Sequence, residues 1–454
     1  MTLRQKILIF IITSIFTFPC ISTGEEKAGI YTLEKSIEEA LSGNWGVKAK
    51  EEKIVEAEHL KEQAKADFYP KFSTTYGYTR LSEVSRSSDA MLPLFTGAGI
   101  PTGTFAFMPG REMNTQDNFQ WKGTVSQPLF TGYALSSAYE LAKLGIDQRK
   151  MELELERLDL ALKVKESYFN ILTADKSIFV AEDAVKSLES HVRVARNFYN
   201  VGMIPINDLL KAEVELANAR YELIRTQNAS KLARSAFNVL LAKPINDDVV
   251  IEDILYFKSV SIDFKESLDK AIAQRPEIKA MEINDMQIDE QIRLAKSKYY
   301  PNVALTYDYI KAGDDMDVSG SRFHDGNNWQ ITAGLSWTFW EWGKKSSMVG
   351  EKESLKRQLA QTRKAVEDGI SMELKQAVLD LDQAEKNIPA TKKAVEQAEE
   401  NLRVSQERYN AQVTTSTEVL DAQTLLSRAR INYYRALYDH NLAKAGLLRA
   451  IGEY

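Results

Sequence analysis

Cysteine is all but missing from this sequence: Cys20 is the only one in 454 residues. It falls in a segment that reads as a secretory signal, spanning residues 1–24. Arg4 and Lys6 precede an apolar stretch from Ile7 to Phe18, and the small residues Ser22, Thr23 and Gly24 follow it. Phe18 and Pro19 do not suit lipid attachment at Cys20, so simple cleavage near Gly24 is expected. The processed chain then has no thiol, which excludes disulfides and thiol chemistry. Long apolar runs are absent too. Past the leader there is no stretch of about 18 uncharged apolar residues, the least that a membrane helix needs. Histidine is scarce, and His59, His191, His324 and His440 stand apart without paired-ligand spacing. No Walker sequence is present, and Gly97, Gly99 and Gly103 lack the strand–helix context of a nucleotide loop. Asp314, Asp315 and Asp317 lack the closing glutamate of a calcium loop. We therefore expect no enzyme activity, no metal and no cofactor. The net charge is −6, with acids and bases interleaved, so no basic face is offered to nucleic acid.

What the sequence does have is itself, twice. SIEEALSGNWGVKA at 36–49 matches SLDKAIAQRPEIKA at 267–280, an offset of 231. The same offset aligns AKADFYP (Ala64–Pro70) with AKSKYYP (Ala295–Pro301). Further on, Tyr199-Asn200 matches Tyr409-Asn410 and Ala219-Arg220 matches Ala429-Arg430, now at an offset of 210. The lost residues come from a longer loop between Tyr78 and Phe119 in the first copy. The expected repeats are 31–243 and 264–454, joined by a linker at 244–263. Each reads as a helix (35–68; 264–299), two strands around a variable loop, a very long helix (133–200; 344–411) and a last helix (207–242; 417–450).

The strands alternate. Val303, Leu305, Tyr307 and Tyr309 share one face, as do Trp329, Ile331, Ala333, Leu335 and Trp337 on the return strand. The first copy follows more weakly with Phe72, Thr74, Tyr76 and Tyr78, then Phe119, Trp121, Gly123 and Val125. Alternation over about ten residues with aromatics suits a lipid-facing barrel strand, and it suits a half-buried strand of a soluble sheet equally well. The long helices separate these readings. Ala181, Val185, Leu188, Val192, Ala195 and Tyr199 step by 4 and 3, as do Thr391, Val395, Ala398, Leu402, Ser405 and Tyr409. Such a helix is about 100 Å long, deeper than any globular domain. Four strands cannot close a barrel in lipid, where an unpaired edge costs several kcal/mol per group. Copies must share the barrel.

These features together resemble the TolC family of outer-membrane efflux proteins. The resemblance covers nearly the whole processed chain. It is carried by the duplicated element order, the A-x-A-D-F-Y-P type helix ends and SQPLFTG (Ser126–Gly132). Two helix turns complete it, YNVGMIPINDLLKAE (Tyr199–Glu213) and YNAQVTTSTEVLDAQ (Tyr409–Gln423). It implies a mixed α/β membrane protein and a homotrimer, with a twelve-strand shared β-barrel, four strands per chain, and a long periplasmic α-helical barrel. It implies a passive exit duct of a tripartite efflux pump or type I secretion system, in the outer-membrane lipid with a long periplasmic extension. The implied partners are a periplasmic adaptor (membrane fusion protein) and an inner-membrane pump of RND, ABC or MFS type. The competing readings are a periplasmic coiled-coil adaptor or a structural protein without its own pore. The duplication argues against the first, and Trp329 and Trp337 with the apolar faces argue against the second.

The resemblance also assigns residues. Val201, Gly202 and Met203 match the adaptor-contact tip, from which Ala411-Gln412-Val413 departs. Glu418 and Asp421 match acidic rings at the periplasmic entrance, although Glu418 also suits the first turn of any helix. Asp208 and Tyr409 match a latch that closes the tip, but Thr414 stands where the family has the arginine partner. Tyr76, Tyr78, Trp121, Tyr307, Tyr309, Trp329 and Trp337 are expected in the membrane's aromatic girdle.

Overall fold

A computed structural model describes residues 30–259 and 262–454. The expected leader, with Cys20, lies outside them. In chain order the helices are α1 (Leu33–Gly43), α2 (Trp45–Ala66), α3 (Ala134–Asn200), α4 (Ile206–Leu240), α5 (Phe264–Gln274), α6 (Pro276–Lys296), α7 (Lys344–Asn410) and α8 (Ser416–Ile451). The strands are β1 (Lys71–Arg80), β2 (Ala90–Phe95), β3 (Pro101–Met108), β4 (Asp117–Phe130), β5 (Asn302–Gly313), β6 (Gly320–Ser321), β7 (His324–Asp325) and β8 (Asn327–Ser336).

One expectation is corrected in both copies. The helices foreseen at 35–68 and 264–299 are each broken, at Asn44 and at Arg275, which the offset of 231 makes equivalent. Both break residues have extended backbone, with ψ of 133° and 131°. Asn44 caps α2, its Oδ1 accepting from the Gly46 N–H at 2.8 Å. Arg275 precedes Pro276, whose ring disfavours helical geometry in the residue before it and suits the first helical position.

The long helices α3 and α7 are 67 residues each, about 100 Å of rod. Each returns along a shorter partner, α3 with α4 and α7 with α8. The expected seam is buried at Ala181, Leu188, Val192 and Ala195 and at Ala398, Leu402, Ser405 and Tyr409. Tyr199 departs from it. It is exposed, while its equivalent Tyr409 is buried against His191 and Phe198.

The largest core lies partway along the rods, where both repeats meet the linker. Val164, Tyr168, Ile171, Phe237 and Leu241 pack there with Val249 and Leu255 of the linker and with Ile388, Ala436 and Leu437. Tyr31 bridges in parallel to Ile251, and Tyr168 Oη lies 2.9 Å from the carbonyls of both Tyr31 and Glu252. That phenol ties the start of the first repeat and the linker to α3.

At one end of the rods the chain forms an antiparallel sheet in the order β1-β4-β5-β8. Its strands come from both repeats, joined at β4–β5. The edges β1 and β8 have no partner among the described residues. The long first loop, between Tyr78 and Phe119, contains the β2–β3 hairpin.

Candidate functional site

The register decides which side chains share a face. Tyr76 pairs with Trp121, Tyr78 with Phe119, Val125 with Tyr307 and Gly123 with Tyr309; Tyr309 pairs with Trp329 and Tyr307 with Ile331. Cross-strand partners project to the same side. One side of the sheet thus carries Phe72, Tyr76, Tyr78, Phe119, Trp121, Val125, Leu305, Tyr307, Tyr309, Trp329, Ile331 and Leu335. Most are exposed on the single chain; Trp329 and Leu335 keep 61% and 67% of their surface. Trp121 leans over Gly123 opposite Tyr309, its ring edge-on to the tyrosine with centroids 6.1 Å apart. The indole fills the gap a glycine leaves on an apolar face.

The other side is polar. Lys122 Nζ lies 3.0 Å from Asp308 Oδ2, Thr124 Oγ1 donates to Asp308 Oδ1 at 2.7 Å, and Gln330 Nε2 donates to Oδ2 at 2.9 Å. This network crosses β4, β5 and β8. An apolar face opposite a hydrogen-bonded polar face is how a barrel wall separates lipid from a water-filled lumen.

The aromatic rings of the sheet gather in two belts, one toward each end of the strands, and the residues expected in a girdle fall mainly in one of them. Tyr76, Tyr78, Trp121, Tyr309 and Trp329 lie toward the loop ends of their strands, and Tyr307 sits one pair nearer the middle. Trp337 lies just past β8 at the helix end, its Nε1 donating to Tyr299 O at 3.1 Å. Phe130, Tyr133 and Tyr300 join it there, mutually edge-on with centroids 5.7–6.3 Å apart, and Trp340 stacks edge-on with Trp342 at 5.7 Å. The strand between the two belts is about 25 Å long, close to the apolar band of a barrel. The second belt was missed because most of its rings sit in the connections, where no alternation exposes them.

At the far end of the rods two turns connect α3 to α4 and α7 to α8. They have identical hydrogen bonding. Gly202 N–H donates to Tyr199 O at 2.9 Å and Met203 N–H to Phe198 O at 2.8 Å; Gln412 and Val413 repeat this to Tyr409 and Arg408 at 2.9 Å each. This is a Schellman turn, which needs a left-handed residue. Gly202 supplies it at φ 76° and Gln412 at φ 61°, so the second copy keeps the turn without the glycine. Val201, Met203 and Val413 are exposed, and Gln412 Nε2 reaches Met203 Sδ at 3.0 Å, joining the two turns.

The expected gate residues are brought close to these turns, but they are not equivalent. Glu418 is held from both sides within its own chain: Arg408 Nη1 donates to Oε1 at 2.9 Å, and the Thr414 hydroxyl donates to Oε2. Asp421, one turn on, has no ion-pair partner among the described residues and lines a groove between α4 and α8 beside Lys211. Asp208 lies in the first turn of α4 and makes no hydrogen bond to Tyr409 within the chain. Burial, with the Asp208 carboxylate adding to it, pushes the Tyr409 phenol up.

Sequence reasoning missed His191. It is buried where α3 meets α7 and α8, its Nε2 2.7 Å from Ser416 Oγ and its ring 4.7 Å from that of Tyr409. Burial lowers it to about 4, so it is neutral at neutral pH. It also missed Arg275, buried and paired with Glu277 and Glu373 at 2.7 Å each. No cluster of His, Cys, Asp or Glu able to hold a metal is found among the described residues, and no helix among them is long and apolar enough to cross a membrane.

The outer membrane efflux protein family matches residues 36–242 and 267–453, in two segments that span most of the chain. This chain belongs to that family. Among curated relatives, this outer membrane efflux protein is 22% identical over 381 residues to toxin and drug export protein A of Aggregatibacter actinomycetemcomitans, covering 80% of this chain and 79% of that one. It is 20% identical over 313 residues to outer membrane protein TolC of Escherichia coli K12, covering 66% and 62%. Solved structures share its fold. CusC superposes with a TM-score of 0.74 at 18% identity over 94% of this chain and 93% of that one. The Campylobacter jejuni CmeC outer membrane channel gives 0.73 at 16% identity over 92% and 85%. The fold is thus that of the TolC-like channels, and the sheet and rods described above are its strand and helical parts.

Proposed function

We propose that this outer membrane efflux protein works as a homotrimer, a passive duct from the periplasm to the exterior. Three chains close one barrel through β1 and β8, and their rods form a tube continuous with it. The observation that carries this reading is the four-stranded sheet with two open edges, an apolar face and an opposed polar face. In lipid such a sheet is stable only when its edges are paired. The duct docks through the turns at Val201–Met203 and 411–413 on a periplasmic adaptor, which links it to an inner-membrane pump. The aromatic belts fix its height in the outer membrane.

Two repeats (31–243 and 264–454) with the linker 244–263 at the equator of the tube account for the arrangement. Both repeats contribute strands, long helices and tips. Asp208 and Tyr409 of neighbouring copies act at the closed tip. Purified protein tests the reading. A detergent-solubilised trimer that forms pores in planar bilayers supports it; a monomer with no conductance overturns it.

A further inference from the structure

The tip carries an arginine that the channel reading has not used. Arg408 is the third residue from the C-terminal end of α7, and Glu418 lies in the first turn of α8. Their ion pair at 2.9 Å spans the turn between the two helices. Glu418 Oε2 is taken by Thr414, so both carboxylate oxygens are engaged within the chain. Asp421 is three residues along the same helix, on nearly the same face, and has no such partner among the described residues.

An ion pair between half-exposed side chains adds little stability. Its effect on the local field is larger, because an arginine within hydrogen-bonding distance cancels the carboxylate's charge at the range of a passing ion. We infer that Arg408 sets the charge of the periplasmic entrance: it neutralises Glu418 inside each chain, and Asp421 alone is left to favour cations. Two acidic residues per chain then act as one. This inference rests on the channel reading, since only a pore has an entrance to charge.

The pair also fixes a direction for change. Removing Arg408 frees Glu418 and adds a second ring of negative charge. Removing Asp421 takes away the only uncompensated carboxylate of the two. Arg408 is half-exposed, so neither substitution disturbs the buried seam.

The test uses the full-length protein in planar bilayers under a potassium chloride gradient, with Mg²⁺ added on the periplasmic side. Arg408→Gln is expected to raise cation preference and to bring Mg²⁺ block to a concentration about three-fold lower. Asp421→Asn is expected to weaken both in the wild-type background. Adding Glu418→Gln to Arg408→Gln is expected to return block to its wild-type concentration. Wild-type pores whose Arg408→Gln variant keeps the same reversal potential and block overturn the inference and leave the channel reading intact. So do wild-type pores whose Arg408→Gln/Glu418→Gln double variant, with both members of the pair uncharged, loses block as fully as Asp421→Asn. An absence of wild-type pores overturns the channel reading itself.

Discussion

His191 Nε2 and Ser416 Oγ, 225 residues apart in sequence, meet at 2.7 Å where the two helical hairpins of the chain press together. Val192, Ala195, Leu209 and Ala212 of one hairpin form a single core there with Ala398, Leu402, Val419 and Ala422 of the other. The hydrogen bond is thus a polar fastening inside an apolar joint, close to the tip.

That fastening is sensitive to acid. Burial lowers His191 to about 4, while an unfolded histidine titrates near 6.5. Between those values the unfolded chain binds the extra proton, so stability falls as pH falls through that window and levels off below it. The loss between pH 7 and pH 4 is on the order of 3 kcal/mol. Protection factors at the amides around Ser416, corrected for the intrinsic pH dependence of amide exchange, should fall on acidification in the wild type. His191→Gln should flatten that response. An identical acid response in the variant removes His191 as its source.

Arg275→Ala should destabilise the helical part sharply. Arg275 is buried and joins Glu277, Glu373 and the Ala450 carbonyl, and Arg449 extends the network to Asp159. Removing Arg275 leaves Glu277 and Glu373 to share Arg449 alone, and the lost charged hydrogen bonds cost about 1.5–3 kcal/mol. Thermal unfolding of the purified protein would read this as a clearly lowered midpoint. A midpoint unchanged from wild type would mean the network is not stabilising.

Tyr168→Phe removes the hydroxyl that lies between the Tyr31 and Glu252 carbonyls. The ring still fills its fully buried place, so the loss is confined to hydrogen bonding, about 1–2 kcal/mol. Limited proteolysis should show the linker cut faster while the rods resist as before.

The two sides of the sheet can be told apart by charge. Ile331→Arg puts a cation on the apolar side near mid-strand and should cost about 2–4 kcal/mol, whereas Thr332→Arg on the polar side should be nearly neutral. Loss of detergent-resistant assembly in the first variant alone is the expected result. Equal tolerance of both would contradict the assignment of faces.

Much of this architecture was legible because the repeat corroborates itself. Ala134–Asn200 and Lys344–Asn410 could be placed within a residue or so, since the seam and the tip turns recur at a fixed offset. The breaks at Asn44 and Arg275 were hidden by helix-forming composition on both sides, although the Arg-Pro step at 275–276 was a usable signal. Glu418 and Asp421 could be placed near the start of the last helix, but their inequality was not visible. It depends on Arg408 and Thr414 reaching Glu418 across a turn. His191 was hidden for a similar reason. Its sequence neighbours place it on a helix, and only the second hairpin decides whether that face meets water or Ser416.

The edge position of β1 and β8 has a genetic corollary. If each wall is sealed by neighbours, a cell making sound and faulty copies equally builds only about one wholly sound assembly in eight. Lesions that spare folding yet spoil an outer strand should therefore behave as dominant alleles. Lesions that unfold the polypeptide before it meets its sisters should be recessive.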